Sequence, residues 1–508
     1  MSQTSTTTEP DIDIHPVVKT TSAFSDRLSP MLVKELRQGL KGMSFLILFI
    51  AIQAILGVFI FGSAFSDSYD NTGGSISRTV FFCLSMATLI VQPLRGVSSV
   101  ATEIKDDTID LMVLTKLSAW RIVFGKWISL VSQSALIIAA VSPYLILRYF
   151  FGGMQLFPEI MVLVTIFLLS ASLTAITVGL SAIPSFIVRG IIGLGIASAA
   201  FSISMAIVDR RSNFRDLLEF CGFANNELTA AYFSTIASAI YLAWLALDFG
   251  ATYIAPAAEN RSTPRRFICL GVLAIISIVF IFLPTNVIFT LPIVMMCVAA
   301  PVIIISITES IYLVPTISKP FVRKGLLGRA ASYFFCPGWQ SGLNFCMLIF
   351  ALTMIVNLMT PEPRYFGSTT PTSLFLTMIP ICFSSVLFPL ALVRLFFRKT
   401  HQHFIYYIGA CIVTFVLFLL TIFIMENSRS YDLAIIFSWI PPVQGIMYVY
   451  AENSWRTVAY TTEVVTVIAY LSLFINWLIC FMSTRSSWKY LRENEAVAKA
   501  SLAPVESN

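Results

Sequence analysis

Apolar runs of about 20 residues alternate with short polar stretches along most of this chain. The runs fall near 44–62, 80–99, 127–147, 160–183, 190–208, 231–255, 267–283, 287–307, 341–359, 373–393, 404–425 and 458–483. A helix of about 20 mainly apolar residues crosses a bilayer, so each run is predicted to be a transmembrane helix. One further stretch, 432–450, is interrupted by Pro441-Pro442. Those prolines remove two backbone donors, so an outer-surface or re-entrant hairpin is expected there in place of a crossing. The pattern therefore predicts an all-α polytopic integral membrane protein with about 12 transmembrane helices.

Composition agrees with that pattern. Apolar residues make up 57% of the 508 positions and charged residues 12%, with a mean hydropathy of +0.83. A soluble globular protein is excluded. The 33 Lys and Arg residues fix the expected orientation, because basic loops stay on the cytoplasmic side. With both termini inside, most of them fall there. Making 432–450 a crossing would carry Arg485, Lys489, Arg492 and Lys499 outside and bring only Arg456 in. Twelve crossings fit better, although they leave Arg210, Arg211 and Arg215 outside. The expected setting is the cell's inner (plasma) membrane, multi-pass, with both termini cytoplasmic. The net charge of +6 then reflects orientation, and no nucleic-acid partner is expected. Nine scattered cysteines without a CxxC are expected to be small buried apolar residues. The first 43 residues are polar and the first apolar run is long enough to anchor, so no cleavable signal peptide is expected.

Polar segments divide the chain. Residues 1–24, rich in Ser, Thr and acidic residues, are expected to be a disordered cytoplasmic tail. Residues 25–43 contain Pro30 in a first-turn position and an apolar stripe of Leu32, Val33, Leu36 and Leu40. Lys34, Arg37 and Lys41 lie on the other sides. This predicts an N-terminal interfacial helix; the plainer alternative is a basic flank that orients the first span. Residues 44–259 then hold six spans, and 260–483 hold six more, after Arg261, Arg265 and Arg266 at a cytoplasmic hinge. Residues 484–508 form a second cytoplasmic tail. The two six-helix halves have parallels. Each has a loop after its second span, opening Thr102-Glu103 or Thr308-Glu309, and each has a long outer segment before its last span. Duplication of this kind is common in transporters.

The loop 101–126 carries the densest signal, TEIKDDTIDLMVLTKLSAWRIVFGK from Thr102 to Lys126. In a helix, Glu103, Asp106, Asp107 and Asp110 fall at i, i+3, i+4 and i+7 on one face. Ile109, Met112, Val113 and Trp120 gather on another. Such a segment is suited to contact a partner; a stop-transfer loop with a solvated acidic face is the plainer reading.

Several residues here match a known pattern. Glu103, Thr108, Asp110, Leu111, Leu114, Thr115, Leu117, Ser118, Gly125 and Lys126 fit a loop of the form E-x-x-x-G-T-x-x-x-L, then L-T-P-L-S, then G-K at the start of span three. Pro143 and Gly152-Gly153 match around that span's outer end, and SPMLVKELRQ (Ser29 to Gln38) matches an amino-terminal elbow helix. Over roughly residues 25–255 the chain resembles the permease subunits of ATP-binding-cassette exporters of the type-2 family. Asp107 stands where that family has Gly, and Lys116 where it has Pro. The resemblance implies a coupling helix, formed by Glu103, Asp106, Asp107, Thr108, Asp110, Leu111, Leu114 and Thr115, that docks on a separate ATPase subunit. It implies an elbow helix that includes Pro30, Lys34, Glu35 and Arg37. It also implies a second permease core, supplied by a homodimer, by another permease or by the second half.

Gly125-Lys126 is followed by Trp127, so the chain has no GxxxxGK[ST] phosphate loop. No cofactor is expected in this chain, and ATP would be bound by the partner. His15, His401 and His403 form no HExxH, and no metal site is expected. Within the spans, Asp248 is the clearest ionisable residue, expected either to line a pathway or to meet the cytoplasmic interface. Two rival functions remain open from sequence: a twelve-span secondary transporter with its own ion coupling, and a polytopic lipid- or sugar-transfer enzyme.

Overall fold

In the computed structural model the described residues are 30–64, 72–106, 118–149, 155–208, 213–256, 259–281, 291–310, 315–359, 371–397, 403–428, 439–453 and 462–500. They form helices joined by turns, with no strand among them. Twelve helical stretches are long and apolar enough to cross a membrane, so the chain is an all-α, multi-pass membrane protein. Outward-facing Ile47, Ile50, Val58 and Phe61 on the first of them are apolar surface of the kind lipid covers.

The first half begins with α1 (Pro30–Lys41) and α2 (Met43–Ala64). The second crossing is built in pieces: α3 (Thr72–Ser85), a π turn at Met86–Val91, α4 (Gln92–Gly96) and α5 (Ser99–Lys105). Pro93 has no N–H to give the Thr88 carbonyl in the wider register, and the Ser170 hydroxyl donates to that carbonyl at 2.7 Å. Next come α6 (Ala119–Tyr149), α7 (Leu156–Leu180), α8 (Phe186–Val208), the short α9 (Asn213–Cys221) and α10 (Asn226–Ile254).

The second half runs α11 (Ser262–Ile281), α12 (Leu291–Thr308), two short helices α13 (Pro315–Arg323) and α14 (Gly325–Phe335), then α15 (Trp339–Met359), α16 (Pro371–Phe396) and α17 (His403–Ser428). It closes with α18 (Pro441–Asn453), α19 (Thr462–Ser483) and α20 (Arg485–Ala500). With 13 residues, α18 is about 20 Å long and short of a crossing. Pro441 opens it, where a missing N–H costs nothing.

Helix pairing repeats between the halves. The fourth and sixth crossings pack together in each, as α7 with α10 and α16 with α19. The short helix before the last crossing leans on that pair, α9 in one half and α18 in the other. One substitution of parts occurs. In the first half α1 rests on the first and third crossings, α2 and α6; in the second, α14 rests on α11 and α15. An element from the loop after the second crossing thus takes the place that the N-terminal helix holds in the first half. Glycine permits the closest approaches. A Cβ at Gly179 of α7 would collide with the Ala246 carbonyl of α10, and one at Gly342 of α15 with the Ser306 carbonyl of α12.

Each half has its own apolar core, one around Leu56, Phe81 and Leu84, the other around Met295, Phe345 and Leu387. Leu245 of α10 is buried in the second of these. A seam of Ile183, Val188 and Phe249 against Ile305, Phe404 and Ile405 joins the halves further.

Candidate functional site

The end of the bundle that carries α1 holds two buried ionic clusters. The first is built around Lys126, in the second turn of α6. Its ammonium lies 2.8 Å from Glu103 Oε1 on α5 and 3.5 Å from Glu35 Oε1 on α1. The lysine side chain is only 8% exposed, so without these carboxylates its charge would be buried unpaired, at a cost of several kcal/mol. Neighbouring contacts tie α1, α2, α4 and α6 together. Ser129 Oγ donates to the Glu35 carbonyl at 3.0 Å, and Gly39 lies directly against Ser129 and Gln133. Arg95 donates to Gln133 and to Gln92, and its guanidinium sits 5.9 Å from the Phe45 ring centre.

Of the acidic residues that the loop pattern grouped together, Glu103 and Asp106 are described. Glu103 faces inward to Lys126, whereas Asp106 is exposed. α5 ends at Lys105 and Asp106 leaves the helical conformation. Glu103 lies within the last turn of the second crossing. Trp120 through Lys126 likewise belong to α6, which makes the connection shorter than 101–126. Asp107, Thr108, Asp110, Leu111, Leu114 and Thr115 lie outside the described residues. On α1, Pro30 opens the helix, Lys34 and Arg37 are exposed, and Glu35 turns inward.

The second cluster lies where α10 meets α11. Asp248 is held by two arginines. Its Oδ2 accepts from Arg265 Nε at 2.7 Å, and its Oδ1 from Arg261 Nη1 at 3.3 Å. Asp248 thus ties the last crossing of one half to the first of the other. Arg261 also pairs with Glu259 at 2.6 Å. Arg266 is fully buried and uses its whole guanidinium. Nε donates to Ser306 Oγ, Nη1 to the Phe334 and Cys336 carbonyls and to Ser341 Oγ, and Nη2 to Glu309 and the Gly338 carbonyl. Glu309 Oε2 also accepts from Ser262 Oγ at 2.6 Å and from the Gly338 N–H at 3.1 Å. Burial pushes the adjacent Cys336 thiol up to about 12, with Arg266 pulling in the opposite direction.

Each half therefore uses a Glu at the end of its second crossing to hold the start of its third. Glu103 holds Lys126, and Glu309 holds the Gly338 amide. Sequence reasoning noted the Thr-Glu pairs but assigned Arg266 only to a charged hinge; its spacing next to Arg265 carried no sign of burial. A pocket of about 420 Å³ opens at the seam beside this second cluster, lined in part by Arg261, Arg265, Glu309, Phe249 and Phe404. Among the described residues no three His, Cys, Asp or Glu side chains are grouped to hold a metal ion. No family model, curated protein or solved structure matches the chain.

Proposed function

We propose that this chain is the membrane-spanning permease subunit of an ATP-dependent exporter, worked by a separate ATPase that docks on the loop between α5 and α6. The observation that carries this reading is Lys126 between Glu35 and Glu103. It fastens both ends of that loop, and the elbow-like helix α1, into one unit. A push on the loop would then move α1, the second crossing and the third together, as a rigid lever. Exposed Asp106, with Asp107 and Asp110 beyond it in sequence, gives the loop an acidic surface for a basic groove. The repeated helix pairing supports the second half as the partner core, so that one chain would supply both sides of a pathway. In this reading both termini are cytoplasmic, the membrane is the cell's inner membrane, and the chain itself binds no nucleotide and makes no bond.

The test is purification of the tagged chain from its native membrane in mild detergent, with mass spectrometry of the proteins that accompany it. A control carries Asp106, Asp107 and Asp110 changed to Lys. An ATP-binding-cassette ATPase that accompanies the native chain and is lost from the control is the expected result. Absence of any ATPase from the native preparation overturns the reading.

A further inference from the structure

On the outside of the second half, α14 roofs an apolar groove of about 730 Å³ between α15 and α19. Met347, Leu348 and Phe474 form its walls. Its polar groups are few and one of them is conspicuous: Trp477 Nε1 is buried in the groove with no hydrogen-bond partner among the described residues. A buried indole N–H ordinarily finds an acceptor, and one missing from the protein points to a ligand oxygen. Trp477 lies about 9 Å along α19 from its end at Ser483, which is below the level of a headgroup phosphate.

The helices that flank the groove carry basic residues. Residues 315–335 carry Lys319, Arg323, Lys324 and Arg329 and no acidic residue. Arg329 is exposed one turn from Tyr333, whose ring packs 4.9 Å from that of Trp488, and exposed Lys489 follows on α20. The nearby Glu495 carboxylate is engaged by Ser332 Oγ at 3.1 Å. Leu326 and Leu327, each 84% exposed, extend the helical face of Ala330, Tyr333 and Phe334 that covers the groove. That face continues the lipid-facing surface of α15 and α19, so the leucines are placed to enter the same leaflet.

We infer that this groove holds one anionic glycerophospholipid. An acyl chain lies along Met347, Leu348 and Phe474, an ester carbonyl accepts from Trp477 Nε1, and the phosphate-bearing headgroup faces Arg329 and Lys489. The excess of cations on these helices selects an anionic headgroup over a zwitterionic one. The inference stands apart from the exporter reading, because it concerns the lipid-facing side of the bundle.

The experiment places the full chain in bilayer discs with equal amounts of phosphatidylglycerol and phosphatidylcholine of the same acyl chains. The chain is then moved into mild detergent, and retained lipid is counted by native mass spectrometry. One phosphatidylglycerol per chain is expected. Trp477→Phe, which removes the N–H together with part of the ring, lowers retention about three- to tenfold. Arg329→Glu with Lys489→Glu abolishes the headgroup preference, and Met347→Trp, which fills the groove, expels the lipid of either kind. Equal retention of both lipids by the native chain overturns the anionic assignment. Retention unchanged in both Trp477→Phe and Met347→Trp, with unaltered melting temperatures, overturns the site.

Discussion

The Lys126 ammonium stands 2.8 Å from the Glu103 carboxylate, across the charged loop that separates them in sequence. The loop is thereby anchored at both ends in the membrane bundle, with Glu35 of α1 as the third member. Removing the lysine leaves two carboxylates facing each other in a largely dry site. Lys126→Met is expected to lower stability by about 2 kcal/mol, discounted from a fully buried pair because the carboxylates retain some access to water. The exchange Lys126→Glu with Glu103→Lys restores a good part of that loss, read as melting temperature in detergent in a double-mutant cycle. Independent, additive losses would contradict the clamp.

Arg266 is expected to tolerate no conservative replacement. Its planar fork serves carbonyls of the turn before α15 as well as Glu309, and an ammonium cannot reach them all. Arg266→Lys therefore costs about 3 kcal/mol, close to the value for breaking a buried pair outright. Thermal unfolding of the purified variant measures it, and a loss under about 1 kcal/mol would refute the buried-fork account.

Gly338 is constrained by its backbone. With φ at +124° it occupies a region that a side chain disfavours, and it does so while its N–H points to Glu309. Gly338→Ala is expected to destabilise by about 1–3 kcal/mol and to loosen the start of α15. Hydrogen exchange at the first turn of α15 reports the second effect.

Cys336 gives a chemical readout of the same corner. Its thiol is raised by burial to about 12, so at pH 8 it stays protonated and does not react with iodoacetamide. The unfolded thiol ionises near 8.5. Between these values the folded state holds the proton that the unfolded state has released. Its contribution to stability is therefore complete below about pH 8.5 and falls as pH rises toward 12. Native-state alkylation that begins only well above pH 9, and at pH 8 in Arg266→Lys, is the expected pattern.

Twelve crossings require α1 and α20 to lie on the same side of the membrane, and the start of α10 on the other. Single cysteines at Lys34 and Lys489 are expected to react with an impermeant maleimide from one face of sealed vesicles, and a cysteine at Asn225 from the opposite face. An odd number of crossings between Lys34 and Lys489 would separate those two.

Much of this architecture is legible in the chain because hydropathy is a local property. Each apolar run carries the whole signal for its own helix, and Pro441-Pro442 marks α18 as a short segment by the same local logic. The amphipathic stripe of α1 is equally local. Periodicity also grouped Glu103 with Asp106, and nothing in that spacing marked Glu103 as the one held by Lys126. Helical spacing says which side chains share a face, but not which of them a distant lysine will draw inward.

By itself, then, the sequence determined an all-helical chain that crosses a membrane about twelve times, because desolvating backbone in lipid leaves the helix as the only solution for such runs. Tertiary structure alone decided the partners of the buried charges. Lys126 joins Glu35 to Glu103, Asp248 clamps Arg261 and Arg265, and Arg266 holds Glu309 and the turn at Gly338. It also decided that α14 stands in the second half where α1 stands in the first. Such pairings depend on which helices approach closely, as Gly179 and Gly342 allow, and that long-range choice is written in no single stretch of residues.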